Sequence, residues 1–395
     1  MNEAQVIPPT PIFPHTAVGL LSAACAETGL DDFGDMHFVK GLIALTEALE
    51  KEAKLNAVGE QMVYGGCMRL LCNRLRYQAD IKKHPEILDE KIEAPIIILG
   101  LPRTGTSKLQ RVMSSDPSVQ RLEFWKTIFP APFPNEIFGN PQPRIDAALE
   151  FENALATGFP GWMARHSMEA LEPDEELHIM DMSFECMISW LFSRVPSYYN
   201  YFSKADPRPT YNILHKMLQY LQWQDGGGRN RPWVMKSPVH LGDIPTLLET
   251  FPDAVLVHCH RDPRKIIPSF ASLIEEGRKM GSDTVDPLEI GRDMFNYWAE
   301  QTDRYLLARK SLPKDRIIDV QFEDTVGNVV SVIERIYKKA GRQLRPEAVA
   351  AFGDYESRRP DKHWGSYSYS ADHYGLSLTE IDARFTEYRQ LFIAS

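Results

Sequence analysis

No part of this chain limits its fold more than Pro95-Ile-Ile-Ile-Leu99 running into Gly100-Leu-Pro-Arg-Thr-Gly-Thr-Ser107. A short, continuous run of apolar, β-branched residues is what a strand buried on both faces of a parallel sheet requires. Lys108-Leu-Gln-Arg-Val-Met113 follows and reads as a helix. A strand, a glycine-bearing turn and a helix together present backbone N–H groups and the positive end of a helix dipole to an anion. The spacing is that of a Walker A loop, G-x-x-x-x-G-K-S/T, except that Thr106 stands where the lysine belongs. Without that lysine the loop lacks the charge that serves the β- and γ-phosphates of a nucleoside triphosphate. Arg103, inside the loop, offers a replacement cation whose planar fork can bind two anion oxygens.

Three later segments repeat the strand signal, and each ends on a polar group. Trp233-Val-Met235 ends at Lys236-Ser-Pro238, with a helix expected over 241–250. Ala254-Val-Leu-Val-His258 ends at Arg261-Asp-Pro263, with a helix over 264–279 that carries Ser269. Arg316-Ile-Ile-Asp-Val320 ends at Glu323-Asp324, with a helix over 326–340. Strands alternating with helices give right-handed βαβ units. Ligands of such open sheets sit beyond the carboxyl ends of the strands. Arg261 and Ser269 are therefore placed to bracket a second phosphate. His258-Cys-His260 sets two imidazoles on one face of its strand, but no carboxylate or thiol stands near in sequence to complete a set, so no metal is expected.

The expected fold is α/β, a three-layer P-loop-type architecture with a mainly parallel central sheet. Residues 1–93 form a helical N-terminal region. Its first 17 residues hold four prolines and read as an extended arm, and apolar residues recur at helical spacing over 36–56 and 58–83. Residues 94–395 form the P-loop domain. A helical insertion over about 136–230, patterned at 142–157, 184–194 and 210–224, is placed to cover a substrate. Its aromatic and methionine residues (Trp162, Met163, Met168, Phe184, Met187, Trp190, Tyr198, Tyr199) are either ordinary core or the lining of an apolar pocket.

With 43% hydrophobic and 25% charged residues the chain can bury a core. A net charge of −10 argues against broad binding to nucleic acid or anionic membranes. Five scattered cysteines without a CxxC pair fit a reducing compartment. The opening MNEAQVIPPTPIFPH does not resemble a secretory signal, and the longest apolar run falls short of the ~20 residues of a membrane span. A cytoplasmic protein is expected, and the sequence says nothing of its oligomeric state.

The four motifs in their order resemble the sulfotransferases that use 3′-phosphoadenosine 5′-phosphosulfate (PAPS). Pro102-Arg-Thr-Gly-Thr-Ser107 is similar to their 5′-phosphosulfate loop, and Arg261 to Ser269 to their 3′-phosphate motif. VMKSPVH and VQFED are similar to two further strand ends of that family. The resemblance is strongest to a bacterial branch with LPRTGT, KSPxHL and HRDPxxxxPS signatures, and it spans about residues 94–392. It implies that Arg103, Thr104, Gly105, Thr106 and Ser107 hold the 5′-phosphosulfate and that Arg261 and Ser269 hold the 3′-phosphate. It places Lys236 near the reacting sulfuryl group. It implies metal-independent, in-line transfer to a hydroxyl or amine of a small-molecule acceptor, which the acidity of the chain suggests is hydrophobic rather than polyanionic.

The general base stays open. The animal branch uses a histidine two residues after the lysine, and Pro238 stands there. His240 is the nearest substitute, and Glu175 or Glu176 in Leu171-Glu-Pro-Asp-Glu-Glu-Leu-His178 are the competitors. In Arg358-Arg-Pro-Asp-Lys-His-Trp-Gly-Ser-Tyr-Ser-Tyr369, Lys362 and His363 would belong to a loop closing over the nucleotide. Two other readings compete: a P-loop kinase, which lacks its lysine here, and a non-catalytic nucleotide-binding scaffold, which would not need cations at three strand ends.

Overall fold

The computed structural model describes residues 16–227, 231–313, 315–358 and 367–393. Its strands are β1 (Ile96–Leu99), β2 (Gln120–Arg121), β3 (Trp233–Lys236), β4 (Val255–His260) and β5 (Ile317–Gln321). They form one sheet in the order β2-β3-β1-β4-β5, with every neighbouring pair parallel. β1 is central, so the turn after it opens at the middle of the sheet's carboxyl edge.

Alternation along the strands divides the core in two. Ile96 and Ile98 join Val234 and Val257 on one face, packed against Leu109, Val112 and Ile333. Ile97 and Leu99 join Met235 and Leu256 on the other, in a larger core shared with the N-terminal and inserted helices. Helices thus cover both faces, which is why β1 can be apolar throughout.

The N-terminal helices are α1 (Ala17–Thr28), α2 (Val39–Glu52) and α3 (Ala57–Lys83). Glycine lets two of them approach closely. The Asn56 N–H donates to Gly281 O at 2.9 Å, and a Cβ on Gly59 would lie 2.1 Å from that same oxygen. A Cβ on Gly41 would lie 2.1 Å from Phe184 O. The buried Arg74 donates to Met182 O at 3.0 Å and to Asp35 O at 2.7 Å. The Gly41–Phe184 approach and the Arg74–Met182 bond anchor the region to the insertion.

Several details differ from the sequence reading. β2 was not foreseen, because Gln120–Arg121 carries no apolar run. The helix expected over 326–340 is two, Phe322–Gly327 and Val329–Lys339, since Asn328 accepts from Ser331 N and caps the second. The helix expected over 241–250 starts later, at Ile244, after a 3-10 turn Pro238–Gly242. Helical patterning at 184–194 shrinks to Ile188–Phe192, with Phe184 in a left-handed turn at φ 52°. The arm expected over 1–17 lies outside the described residues up to position 15, and Thr16 already caps α1. Lys362 and His363 lie outside them as well.

Gly59→Ala should lower the unfolding free energy by about 1–3 kcal/mol, because backbone must move to admit the methyl group. Gly65→Ala, in the same helix but with nothing within 4 Å of its Cβ position, should raise it by about 0.5–1 kcal/mol. Urea unfolding of the two variants checks the contrast.

Candidate active site

The helix α4 (Thr106–Met113) begins directly after Gly105, which adopts φ 82°. A Cβ there would meet the Phe322 ring at 3.2 Å. Gly100, at φ 142°, leaves no room for a Cβ, which would lie 2.4 Å from Cys259 O. The turn is therefore pressed onto the end of β4. The N–H groups of the first turn of a helix have no partner within it, so Thr106 and Ser107 direct theirs to the mouth of the loop.

Arg103 sits in the left-handed region at φ 66°, unfavourable for a side-chain-bearing residue by roughly 1–2 kcal/mol. Three hydrogen bonds hold it there. Its guanidinium donates to Arg165 O at 2.8 Å and to Tyr367 Oη at 2.5 Å. Its carbonyl accepts from Arg261 Nη1 at 2.8 Å. Arg261 also stacks over the Phe322 ring at 4.0 Å, and Ser269 Oγ lies 3.4 Å from Tyr367 Oη. Arg103 and Ser269, read separately from the sequence, thus meet at Tyr367, and Arg261 joins them through the Arg103 carbonyl. Thr104 differs: its side chain is fully buried and donates to Leu101 O at 2.8 Å. Only its backbone N–H is left to face a ligand.

Lys236 ends β3 with its side chain 2% exposed. Its Nζ donates to Glu175 Oε1 at 2.5 Å, and its N–H donates to Glu176 Oε2 at 2.9 Å. The two adjacent carboxylates have diverged. Glu175 lines a cleft beside the loop. Glu176 is completely buried and takes His240 Nε2 at 2.7 Å on its other oxygen. His240 Nδ1 lies 2.8 Å from Tyr211 Oη. Glu176 and His240, two of the three candidate bases read from the sequence, are both wholly buried, and both ring nitrogens of His240 are engaged. The 3-10 turn carries His240 inward and leaves Pro238 on the cleft wall.

One wall of the cleft is Arg103, Thr106 and Ser107, and the rest is largely apolar, with Trp162, Leu191, Phe192 and Phe270 among its residues. Of the aromatic and methionine residues singled out in the insertion, Trp162, Met168 and Met187 line it. Met163, Phe184, Trp190 and Tyr198 are buried core, and Tyr199 stacks on Trp190. The cleft holds about 90 Å³, less than the ~300 Å³ at which small-molecule pockets begin. A larger cavity of about 420 Å³ lies among α1–α3, away from the loop.

Two histidines missed by sequence reasoning, His166 and His178, also line the cleft. No spacing could have shown them, because each is delivered by a separate short element of the insertion. Burial pushes His166 down to about 3, outweighing the nearby Glu175, and lowers His178 in the same way. His166 Nε2 lies 3.9 Å from Asp174 Oδ1. Arg103 grips the carbonyl of the preceding residue, so the loop also fixes where His166 stands.

Below the loop, register corrects another reading. β4 and β5 pair His258 with Asp319, so the carboxylate absent from the local sequence arrives from the neighbouring strand. Asp319 Oδ1 lies 2.9 Å from His260 Nε2, and Asp319 Oδ2 accepts from Arg309 at 2.7 Å.

The Sulfotransferase family model matches residues 95–346. Over 308 residues the chain is 24% identical to an omega-hydroxy-beta-dihydromenaquinone-9 sulfotransferase, Stf3 of Mycobacterium bovis, covering 72% of this chain and 75% of that one. Sulfotransferase STF9 from Mycobacterium avium has a similar structure, with a TM-score of 0.86 and 26% identity over 100% of this chain and 99% of that one. Sulfotransferase STF1 from Mycobacterium tuberculosis H37Rv superposes with a TM-score of 0.78 and 29% identity, over 94% of this chain and 98% of that one.

His166 is expected to stay neutral in the folded protein. Its folded value lies below the ordinary ~6.5 of an imidazole, so the unfolded chain binds the extra proton between the two. The stability contributed by the neutral ring is present above pH ~6.5 and is lost as the pH falls toward 3. In an NMR titration to pH 5 its ring resonances should keep their neutral positions. A midpoint near 6.5 would mean the ring is solvated and not part of the cleft wall.

Proposed function

The chain belongs to the sulfotransferase family, and from that premise we propose that it transfers the sulfuryl group of PAPS to a hydroxyl or amine at the end of a hydrophobic small molecule. As an enzyme of this family it is neither a kinase nor a non-catalytic scaffold. When bound, PAPS supplies a sulfuryl group activated by a phosphosulfate anhydride. Residues 94–395 act as the catalytic domain and residues 1–93 as a helical region packed on it.

The observation that carries the reading is the Lys236–Glu175 pair, whose Glu175 lines a largely apolar cleft together with Arg103, Thr106 and Ser107 of the loop. In this reading the N–H groups of residues 103–107 and the guanidinium of Arg103 hold the 5′-phosphosulfate. Arg261 and Ser269 hold the 3′-phosphate. The Nε of Arg261 supports this, being buried without a hydrogen-bond partner among the described residues. Glu175 takes the proton of the acceptor as the acceptor's oxygen or nitrogen bonds to sulfur. Lys236 faces the bridging oxygen, which keeps the electrons of the broken S–O bond and leaves on adenosine 3′,5′-bisphosphate. Fixed cations at that oxygen stabilise the charge it gains. The Lys236–Glu175 hydrogen bond keeps base and cation in register before substrates arrive, and an anion beside Lys236 frees Glu175 to accept a proton.

The apolar lining of the cleft supports a neutral, hydrophobic acceptor, as does the lipid-like substrate named for the Mycobacterium bovis relative. Among the described residues no helix is long and apolar enough to cross a membrane. With the cysteines unpaired, this supports a cytoplasmic site for the reaction.

Calorimetric titration tests the donor site. Adenosine 3′,5′-bisphosphate should bind with no metal added and more tightly than Mg-ATP, and the reverse order would overturn the reading. Arg261→Ala should weaken the bisphosphate at least about tenfold, as loss of a charge-assisted contact does, while adenosine 5′-phosphate changes little. Glu175→Gln should lower kcat by about 10²–10⁴ with bisphosphate affinity kept. His240→Gln should lower the melting temperature and affect kcat far less.

A further inference from the structure

The cluster under the anion loop lies outside the machinery of transfer. His258 is fully buried, and neither of its ring nitrogens has a hydrogen-bond partner among the described residues. A buried imidazole with both nitrogens orphaned calls for an explanation such as an ion. His260 comes two residues later on the same face of β4, and the two rings lie 3.9 Å apart. Asp319 stands opposite His258 on β5. One donor atom from each of the three lies within 4.8 Å of the others.

We propose that His258, His260 and Asp319 bind one divalent transition-metal ion of the zinc type, clamping β4 to β5 beneath the anion loop. Two imidazoles and one carboxylate form a donor set suited to such an ion and leave a fourth position for water.

The surroundings are those of a ligand set held by outer partners. His260 Nδ1 lies 3.0 Å from Tyr388 Oη. With Nδ1–H donating to that oxygen, Nε2 offers its lone pair to the ion. Arg309 holds the second oxygen of Asp319 at 2.7 Å, and the ion would replace the proton now shared between Oδ1 and His260 Nε2, 2.9 Å apart. The positive charge of Arg309 lowers the affinity without taking up Oδ1. The Phe392 ring stacks on His260 at 4.4 Å, and Tyr305 packs edge-on to His258 at 4.3 Å. Tyr305 Oη and Arg309 Nη1 also lack hydrogen-bond partners among the described residues, and a water on the ion would find partners there. Burial favours the uncharged, ligating form of His258. The Asp319 side chain is 35% exposed and gives the ion a way in.

The position assigns the role. His258 pairs with Leu99, the last residue of β1, and its ring would touch a Cβ on Gly100 at 3.2 Å. An ion here stiffens the floor of the loop and the strand end bearing Arg261. It takes no part in sulfuryl transfer.

The test is titration of the full chain with Co²⁺ and Zn²⁺, reading d–d absorption, metal content and melting temperature. One ion per chain should bind and raise the melting temperature. Asp319→Asn keeps the shape of the site and should weaken binding at least about tenfold. His258→Gln should abolish the Co²⁺ spectrum. If His258→Gln fails to fold, Asp319→Asn decides alone. No binding to the wild-type chain overturns the proposal, which would leave the orphaned nitrogens to an ordered water. Equal binding by wild type and variants overturns it too, because the ion would then sit elsewhere.

Discussion

Lys236 is gripped at both ends by neighbouring carboxylates. Glu176 accepts from its backbone and Glu175 from its ammonium. A lysine 2% exposed needs such partners, because breaking one side of a buried ion pair typically costs ~3–5 kcal/mol. The arrangement ties the end of β3 to the inserted segment and fixes a cation at the sheet's edge. It also explains why two adjacent glutamates in an acidic run are not interchangeable. One is part of the scaffold, reaching through to His240 and Tyr211, and the other looks into the cleft.

A second tie joins the anion loop to β4 and to the C-terminal part of the chain. Arg103 is held in an unfavourable backbone region by Arg165, Arg261 and Tyr367 together. Strain of this kind persists only where the surroundings over-determine it. The pins come from three different parts of the chain, so the loop is shaped before any ligand arrives. A preorganised anion site loses little on binding, which is where its advantage over a flexible basic patch lies.

The sequence made some of this legible and hid the rest for physical reasons. Ile96–Leu99 announces itself because burial on both faces demands an unbroken apolar run. β2 does not, because two polar residues at a sheet edge need no such run. Lys236, Arg261 and Ser269 were readable from their spacing after strands. The choice between Glu175, Glu176 and His240 was not. Which of the three faces the cleft depends on how a 3-10 turn swings a side chain, which only the three-dimensional structure gives. His166 and Asp319 escaped for a related reason. Asp319 meets the histidines only through strand register, and His166 reaches the loop only because Arg103 holds the carbonyl of Arg165 beside it.

The bond between Arg103 and Tyr367 spans 264 positions of the chain. On the ribosome, the first half of that contact emerges long before the second. The sheet and its glycine turn can assemble meanwhile, but one of the bonds that hold Arg103 in its left-handed turn is still missing. Contacts of such high sequence separation form slowly and late. A nascent or truncated chain would thus carry a recognisable nucleotide fold with an unfinished anion site. Closure of this loop then becomes a late step of synthesis, reached only once residue 367 has come back to residue 103.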